Sequence, residues 1–325
     1  MRETRHVMMI TAALTVVFHG HAEAQTQTYP VKPIRFIVPF VPGGSTDIVA
    51  RLVAPKLSEA LGQQVVVDNR GGAGGTIGTE MAARTPPDGY TIVLTSANTA
   101  MNVSLYQSKS IDPMKELAAI SLLGSAPNIV SVHPSLPVRS IKQLIALAKA
   151  RPGQINYASG GSGSTAHMAT ELFKTMARVD LLHVPYKGTG PALIAALSGE
   201  SSVLIPPASA VLPHANSGKL MALAICSTQR FDAVPDLPTV AESGVPGYEA
   251  SQWYGIMAPT GTSQEIITRL NRELVKIVQA PDIKSRLARD ATLMIGSTPQ
   301  EFAAYMKDEI TKWAKVVKFS GARVE

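Results

Sequence analysis

Ile34-Arg35-Phe36-Ile37-Val38-Pro39-Phe40-Val41-Pro42-Gly43-Gly44-Ser45-Thr46-Asp47 is an apolar run that breaks into a corner of proline, glycine and small polar residues. Behind the corner, Ile48, Val49, Leu52, Val53, Leu57 and Leu61 recur at helical spacing, and Gly62 stands where a helix C-cap belongs. The stretch therefore predicts a buried strand feeding a helix through a tight glycine turn. Ser45, Thr46 or Asp47 can cap that helix, and Pro55, two turns in, should kink it.

Moving outward, the same unit recurs. Gln64 to Asp68 reads as a second buried strand. The glycine run Gly71, Gly72, Gly74, Gly75 and Gly78 leads into a helix through Met81, Ala82 and Ala83. Tyr90 to Thr95 is a third strand, ending in Ser96-Ala97-Asn98-Thr99. Strand, helix, strand, helix, strand is the alternation of a parallel α/β sheet.

A second half follows. Leu117–Leu123 and Asn128–Val132 read as strands, and Ser140 caps a helix. Ile155–Ala158 is a strand whose loop, Ser159-Gly160-Gly161-Ser162-Gly163-Ser164-Thr165, opens another helix. Leu181–Tyr186 is a strand, Gly188-Thr189-Gly190-Pro191 opens a helix, and Val203–Ile205 and Met221–Ile225 close the half. The last hundred residues read as mostly helical, with capping boxes at Thr262–Glu265 and Thr298–Glu301.

The 325 residues suit about two domains. With 25 Gly and 23 Pro the chain is too interrupted for a helical bundle, and much of that excess falls at strand–helix corners. The formal net charge is +6, but the basic residues are scattered and aromatics make up only 5%, which argues against nucleic acid as partner. The single cysteine, Cys226, rules out an internal disulfide and reads as a buried, inert strand residue. The histidines lack metal-ligand spacing, so no metal or cofactor is expected.

Residues 1–24 carry the marks of a secretory signal peptide: Arg2 and Arg5, an apolar run from Val7 to Phe18, and Ala22-Glu23-Ala24 as the cleavage pattern. The run is too short to span a bilayer. Cleavage after Ala24, leaving Gln25 as the mature N-terminus in a bacterial periplasm, is expected.

No glycine loop ends in Gly-Lys, as a phosphate loop would, and Gly72 to Gly78 carries Ile77 where a dinucleotide fingerprint needs glycine. Gly160 to Ser164 misses the nucleophile-elbow pattern at its last position. A small-molecule hydrolase using Ser164 and His167 stays as the alternative reading. What remains are two anion-competent loops, Gly43–Asp47 and Ser159–Thr165, both rich in Gly and Ser/Thr and free of Lys and Arg. Each suits a carboxylate held by main-chain N–H groups and hydroxyls at a helix N-terminus, and ligands of open α/β sheets sit beyond the strand ends where such loops lie.

An ordered set of motifs sharpens this. Pro33 to Asp47, Val66 to Gly75, Pro87-Asp88-Gly89-Tyr90-Thr91, Tyr157 to His167, Val184-Pro185-Tyr186-Lys187-Gly188 and Pro235 to Glu242 together resemble the receptors of tripartite tricarboxylate transporters, the Bug-type solute-binding proteins. The resemblance covers residues 30–325. It implies an α/β, two-lobed periplasmic binding protein of type II, a Venus flytrap with a mostly parallel, helix-flanked sheet in each lobe. The lobes are expected at 25–118 plus 226–325 and at 119–225, with hinge crossings near Leu117–Gly124 and Ala222–Thr228. Such a receptor is a monomer and not an enzyme. It captures a small organic carboxylate, a di- or tricarboxylate or an aromatic acid, and delivers it to inner-membrane permease subunits.

Carried onto this chain, the resemblance implies ligand contacts at Phe40, Gly43, Gly44, Ser45, Thr46 and Asp47, at Ser96, Asn98 and Thr99, and at Ser159, Gly160, Ser162, Gly163, Ser164 and Thr165. His167 is implied to brace its loop, and Pro207 lies at a strand end facing the cleft. One departure stands out: Ser202 occupies the position where the family commonly has Asp, and no acid follows at the strand end by Pro206 and Pro207. The expected ligand is therefore an acid without a charged amine.

Overall fold

The computed structural model describes residues 29–106, 111–232, 234–288 and 291–322. The expected signal peptide and its cleavage point lie outside the described residues. The elements begin with β1 (Ile34–Val38), α1 (Ser45–Leu61), β2 (Val65–Asn69), α2 (Thr76–Ala83), β3 (Thr91–Ser96), α3 (Ala97–Leu105), α4 (Pro113–Glu116) and β4 (Leu117–Pro127). Then come β5 (Ile129–Val132), α5 (Ile141–Ala150), β6 (Asn156–Ser159), α6 (Thr165–Ala177), β7 (Leu182–Pro185), α7 (Thr189–Ser198), β8 (Val203–Leu204), α8 (Ala208–Asn216) and β9 (Met221–Ile225). The chain ends with β10 (Ser251–Pro259), α9 (Gln264–Gln279), α10 (Pro281–Ala288), β11 (Leu293–Met294) and α11 (Pro299–Ser320).

Among the described residues two sheets form, in the orders β11-β4-β10-β3-β1-β2 and β7-β6-β8-β5-β9. Each has the parallel βαβ core that the strand–helix alternation predicts: β1 between β2 and β3, and β6 between β7 and β8. The remaining strands join antiparallel, so both sheets are mixed. Parallel pairing needs a crossover, whereas strands that arrive from the other lobe are free to enter in the opposite sense.

The lobe boundary differs from the expected one. β4 pairs with β10 along its whole length, from Leu117 with Pro259 to Pro127 with Ser251, so residues 119–127 belong to the first lobe. The first crossing lies at Asn128, not within Leu117–Gly124. Likewise residues 226–250 return to the second lobe before the chain crosses: Ile225 N–H donates to Pro238 O and Ile225 O accepts from Val240 N–H, both at 2.9 Å, and the Tyr248 hydroxyl donates to Ala169 O at 2.9 Å. The crossings meet at Cys226, whose N–H donates to Asn128 O (2.8 Å) and whose C=O accepts from Ala250 N (2.9 Å). Cys226 is wholly buried, as expected, and burial pushes its thiol pKa up.

The C-terminal region is less helical than its sequence suggested. β10 lies between β3 and β4 and is buried at every position. α9 is capped by Ser263, which accepts from Ile266 N at 3.4 Å, one residue later than the expected Thr262. α11 begins with the expected Thr298–Glu301 capping box and Pro299 at its first position. This helix packs on α3, β4 and α6 and so touches both lobes. The Trp253 and Trp313 indoles both donate to Glu309 at 2.9 Å, and Lys312 pairs with Glu249 and Glu309, which satisfies the polar atoms of a buried joint.

Candidate ligand-binding cleft

A cavity of about 620 Å³ lies between the lobes, walled by the loops that precede α1, α6, α7 and α8 and by residues of α3. A hollow of similar size, about 610 Å³, lies beside α8, β9 and residues 234–237, but no helix N-terminus opens into it.

In the first lobe the glycine corner ends at Gly44, the N-cap of α1, and no side chain caps the helix. Ile48 N–H is the first to bond back, to Gly44 O at 3.0 Å, which leaves the N–H groups of the first turn facing out along the axis. Gly43 has φ +88°, a conformation that disfavours any residue with a Cβ, and this turn lays Gly43, Gly44, Ser45 and Thr46 along the cavity wall beside Phe40 and Val41. Asp47 does not line the cavity. Its carboxylate turns back to accept Gly43 N–H (2.9 Å), Arg51 Nε (2.9 and 3.0 Å) and Asn69 Nδ2 (3.0 Å). Burial opposes its ionisation, but Arg51, the Gly43 N–H and Asn69 together hold the carboxyl below its ordinary range. Asp47 is thus the prop of the loop rather than a wall residue. α1 runs unbroken through the exposed Pro55.

At the α3 corner only Asn98 of the expected trio reaches the cavity. Ser96 is fully buried as the N-cap and donates its N–H to Thr99 Oγ1 at 3.3 Å. Asn98 Nδ2 reaches across to Gly163 O at 3.2 Å, a direct hydrogen bond between the lobes.

In the second lobe Gly160, Ser162, Gly163, Ser164 and Thr165 line the cavity, and Ser159 and His167 stand behind them. Gly163 at φ +78° aims its N–H at His167 Nδ1 (3.0 Å) and its C=O at Asn98. That bond makes Nδ1 of His167 an acceptor, so the ring is neutral with its proton on Nε2. Burial, then His183 and Lys174, push the His167 pKa down to about 3. Its ring stacks on His183 at 4.2 Å, and His183 Nε2 lies 2.6 Å from Ser159 Oγ. The expected bracing role of His167 therefore has a geometry: two stacked imidazoles hold the loop at Ser159 and Gly163.

No Ser164–His167 side-chain pair forms. Ser164 Oγ accepts His167's backbone N–H at 3.3 Å as the cap of α6, while the imidazole serves Gly163. The serine of this loop that does meet an imidazole, Ser159, is wholly buried.

Several wall residues were not foreseen. Gly188, Thr189 and Gly190 open α7 with an uncapped N-terminus much like that of α1. Their Gly-Thr-Gly-Pro corner was visible as a helix start, and its likeness to the α1 corner was the available signal. Asn102, Tyr106, Gly74 and Gln252 complete the wall together with the expected Pro207. Every wall residue is uncharged. The positive ends of α1, α6 and α7 converge on a space without Lys, Arg, Asp or Glu, and this arrangement attracts an anion through fixed dipoles and N–H donors.

Comparison with known proteins now decides the family. Residues 49–321 match the model of the tripartite tricarboxylate transporter family receptor. The chain belongs to that family. The receptor is 41% identical over 306 residues to Protein BugT of Bordetella pertussis, covering 94% of each chain. Among solved structures it is similar to an R. palustris protein with adipate (36% identity, TM-score 0.81, covering 91% of this chain and 100% of that one). It is likewise similar to the periplasmic binding protein BugD (33%, TM-score 0.78, 91% and 100%). A third similar structure is MatC from Rhodopseudomonas palustris with bound malate (30%, TM-score 0.78, 89% and 100%). The receptor shares their two-lobed α/β architecture.

Proposed function

We propose that this receptor works in the periplasm, after cleavage behind Ala24, as a monomer that closes on a small organic carboxylate and hands it to the membrane subunits of a tripartite tricarboxylate permease. The supporting observation is the uncharged interlobe cavity onto which three helix N-termini open. Adipate and malate in two structural relatives fit the same chemistry. A carboxylate held by N–H groups from both lobes favours the closed state, because only differential affinity shifts an open–closed equilibrium. The absence of an acid from the wall suits a ligand without an ammonium group. With Ser164 spent on a helix cap and Ser159 shut away from the cavity, binding rather than turnover is the reading that the wall supports.

The test is a thermal-shift screen of the purified receptor against mono-, di- and tricarboxylates, aromatic acids and amino acids. A true ligand at 100 times its dissociation constant stabilises by about 2.7 kcal/mol. No shift with any carboxylate, or turnover of an ester panel, would overturn the proposal. Intact mass of exported protein checks the cleavage site.

A further inference from the structure

Two imidazoles stand behind the Ser159–Thr165 loop, and they differ in what a proton would do to them. His167 Nδ1 accepts Gly163 N–H, so a proton on that nitrogen breaks a bond that shapes the wall. His183 is half-buried on β7, the edge strand of its sheet. Its Nε2 lies 2.6 Å from Ser159 Oγ, while its Nδ1 has no partner among the described residues and is not sealed from water.

The loop accommodates a charged His183. Ser159 Oγ accepts Gly161 N–H at 3.1 Å and lies 3.2 Å from Gly161 O. With the hydroxyl proton on Gly161 O, Oγ accepts from His183 Nε2–H, and the Nδ1 lone pair is left to take a proton from solvent. If the hydroxyl proton points at Nε2, a turn toward Gly161 O leaves Oγ free to accept. Either way an imidazolium keeps its bond to Ser159. The gain is a positive charge one residue behind Gly160 and Ser162 of the uncharged wall.

The surrounding groups leave this charge unmatched. On α6, Glu171 accepts from Lys174 Nζ (3.0 Å) and from the Tyr157 hydroxyl of β6 (2.6 Å), and Lys174 also lies 3.7 Å from Asp180, ahead of β7. The His167 and Tyr157 rings stack on His183 at 4.2 and 4.8 Å. Burial holds the His183 pKa below the ordinary imidazole value, with Glu171 opposing the shift and Lys174 adding to it. Burial also keeps the Tyr157 phenol neutral, and behind the facing loop Asp47 stays below the carboxylate range. Imidazole is the side chain that ordinarily titrates between about pH 5 and 8, and of the two behind this loop His183 is the one free to do so.

We propose that His183 couples capture of the anion to uptake of a proton: when a carboxylate occupies the cleft, His183 takes a proton at Nδ1, and its charge behind the loop tightens the hold. The proposal rests on the carboxylate reading above and adds a pH response to it. The coupling is reciprocal, so an anion that makes His183 more basic must bind more tightly, by the same factor, when His183 is protonated. Protonation of the acid itself acts in the opposite sense and weakens binding as pH falls.

The experiment is titration calorimetry of the purified receptor with malate, adipate, citrate and benzoate at pH 8 and pH 5. Native receptor and His183→Gln are compared with the same acid, which cancels the acid's own protonation. Glutamine keeps an amide nitrogen to donate to Ser159 and removes the titration, and only the change between the two pH values is read, not the absolute affinity. On acidification the native receptor should gain about fivefold over the variant, at the low end of couplings between linked sites. Titrations at pH 6 in two buffers of different ionisation enthalpy should show the native receptor taking up more protons on binding than the variant. Equal pH dependence and equal proton uptake in the two proteins would overturn the proposal. So would a native affinity that falls more steeply than the variant's in acid, the sign of a loop that protonation breaks. His183→Asn gives the same comparison should the glutamine variant not fold. Failure of all four acids to bind at either pH would bring down the carboxylate reading, whereas binding without a His183-dependent pH response overturns this proposal alone.

Discussion

Asp47→Asn tests how the first anion loop is held. The native carboxylate takes Gly43 N–H on Oδ2 and Asn69 Nδ2 on Oδ1, with Arg51 Nε against both. An amide has one oxygen and one NH2, so either orientation sets the NH2 against Gly43 N–H or against Asn69 Nδ2. Asn69 has no easy way to turn over, since its Nδ2 also donates to Phe40 O (3.0 Å) and its Oδ1 accepts from Arg51 (3.1 Å). One hydrogen bond to a charged acceptor is therefore lost, about 2 kcal/mol. The ion pair with Arg51 adds little, because that side chain is 55% exposed. For a chain of this size the loss corresponds to roughly 4 °C in melting temperature. Because Gly43 and Gly44 form the wall, affinity for the carboxylate ligand should fall in parallel, by about tenfold or more. Differential scanning calorimetry and titration calorimetry read the two effects. A variant that melts within about 1 °C of the native protein and binds with unchanged affinity would refute the role of Asp47 as the prop of the loop.

Other predictions follow from the second lobe and the closure. Asn98→Ala removes a neutral interlobe hydrogen bond of about 1 kcal/mol, so the ligand-free protein should be more open in small-angle scattering and affinity should fall about fivefold; an unchanged scattering profile and affinity would remove Asn98 from the closure. His167→Asn bears on pH. The folded-state pKa of about 3 lies below the usual imidazole value, so the unfolded chain binds the proton first as pH falls. The contribution of the neutral imidazole is complete above about pH 6.5 and is lost toward the folded value, at up to ~1.4 kcal/mol per pH unit. The variant should lose part of the drop in melting temperature between about pH 6.5 and 4.5, and an unaltered pH dependence would contradict a neutral, buried His167.

The βαβ cores, the glycine corners and the capping box of α11 were legible in the sequence because each is local: apolar runs, breakers and caps stand next to one another. β10 was not. Ser251 to Pro259 lies between two other strands and is buried on both faces, so it lacks the alternation that marks a half-exposed strand. Gln252 went unseen with it. The lobe boundary was misplaced for a related reason: nothing local in Leu117–Pro127 says that it pairs with a strand more than a hundred residues away. Within the site, the resemblance found the loops, but it could not separate wall from prop. Asp47, Ser159 and His167 sit in the motifs beside Ser45 and Gly163, yet they face away and hold the wall in place. Only side-chain direction distinguishes the two roles.

The central claim is that this receptor holds an anion with neutral groups, at helix N-termini drawn from both lobes. The most direct measurement compares, by titration calorimetry, the best carboxylate from the screen with its primary amide, which keeps the shape and removes the charge. The acid should bind one to one and about a hundredfold or more tighter, the combined effect of two hydrogen bonds to a charged group, with only a weak dependence on salt because no exposed cation lines the site. An amide that binds as well as the acid would contradict the account.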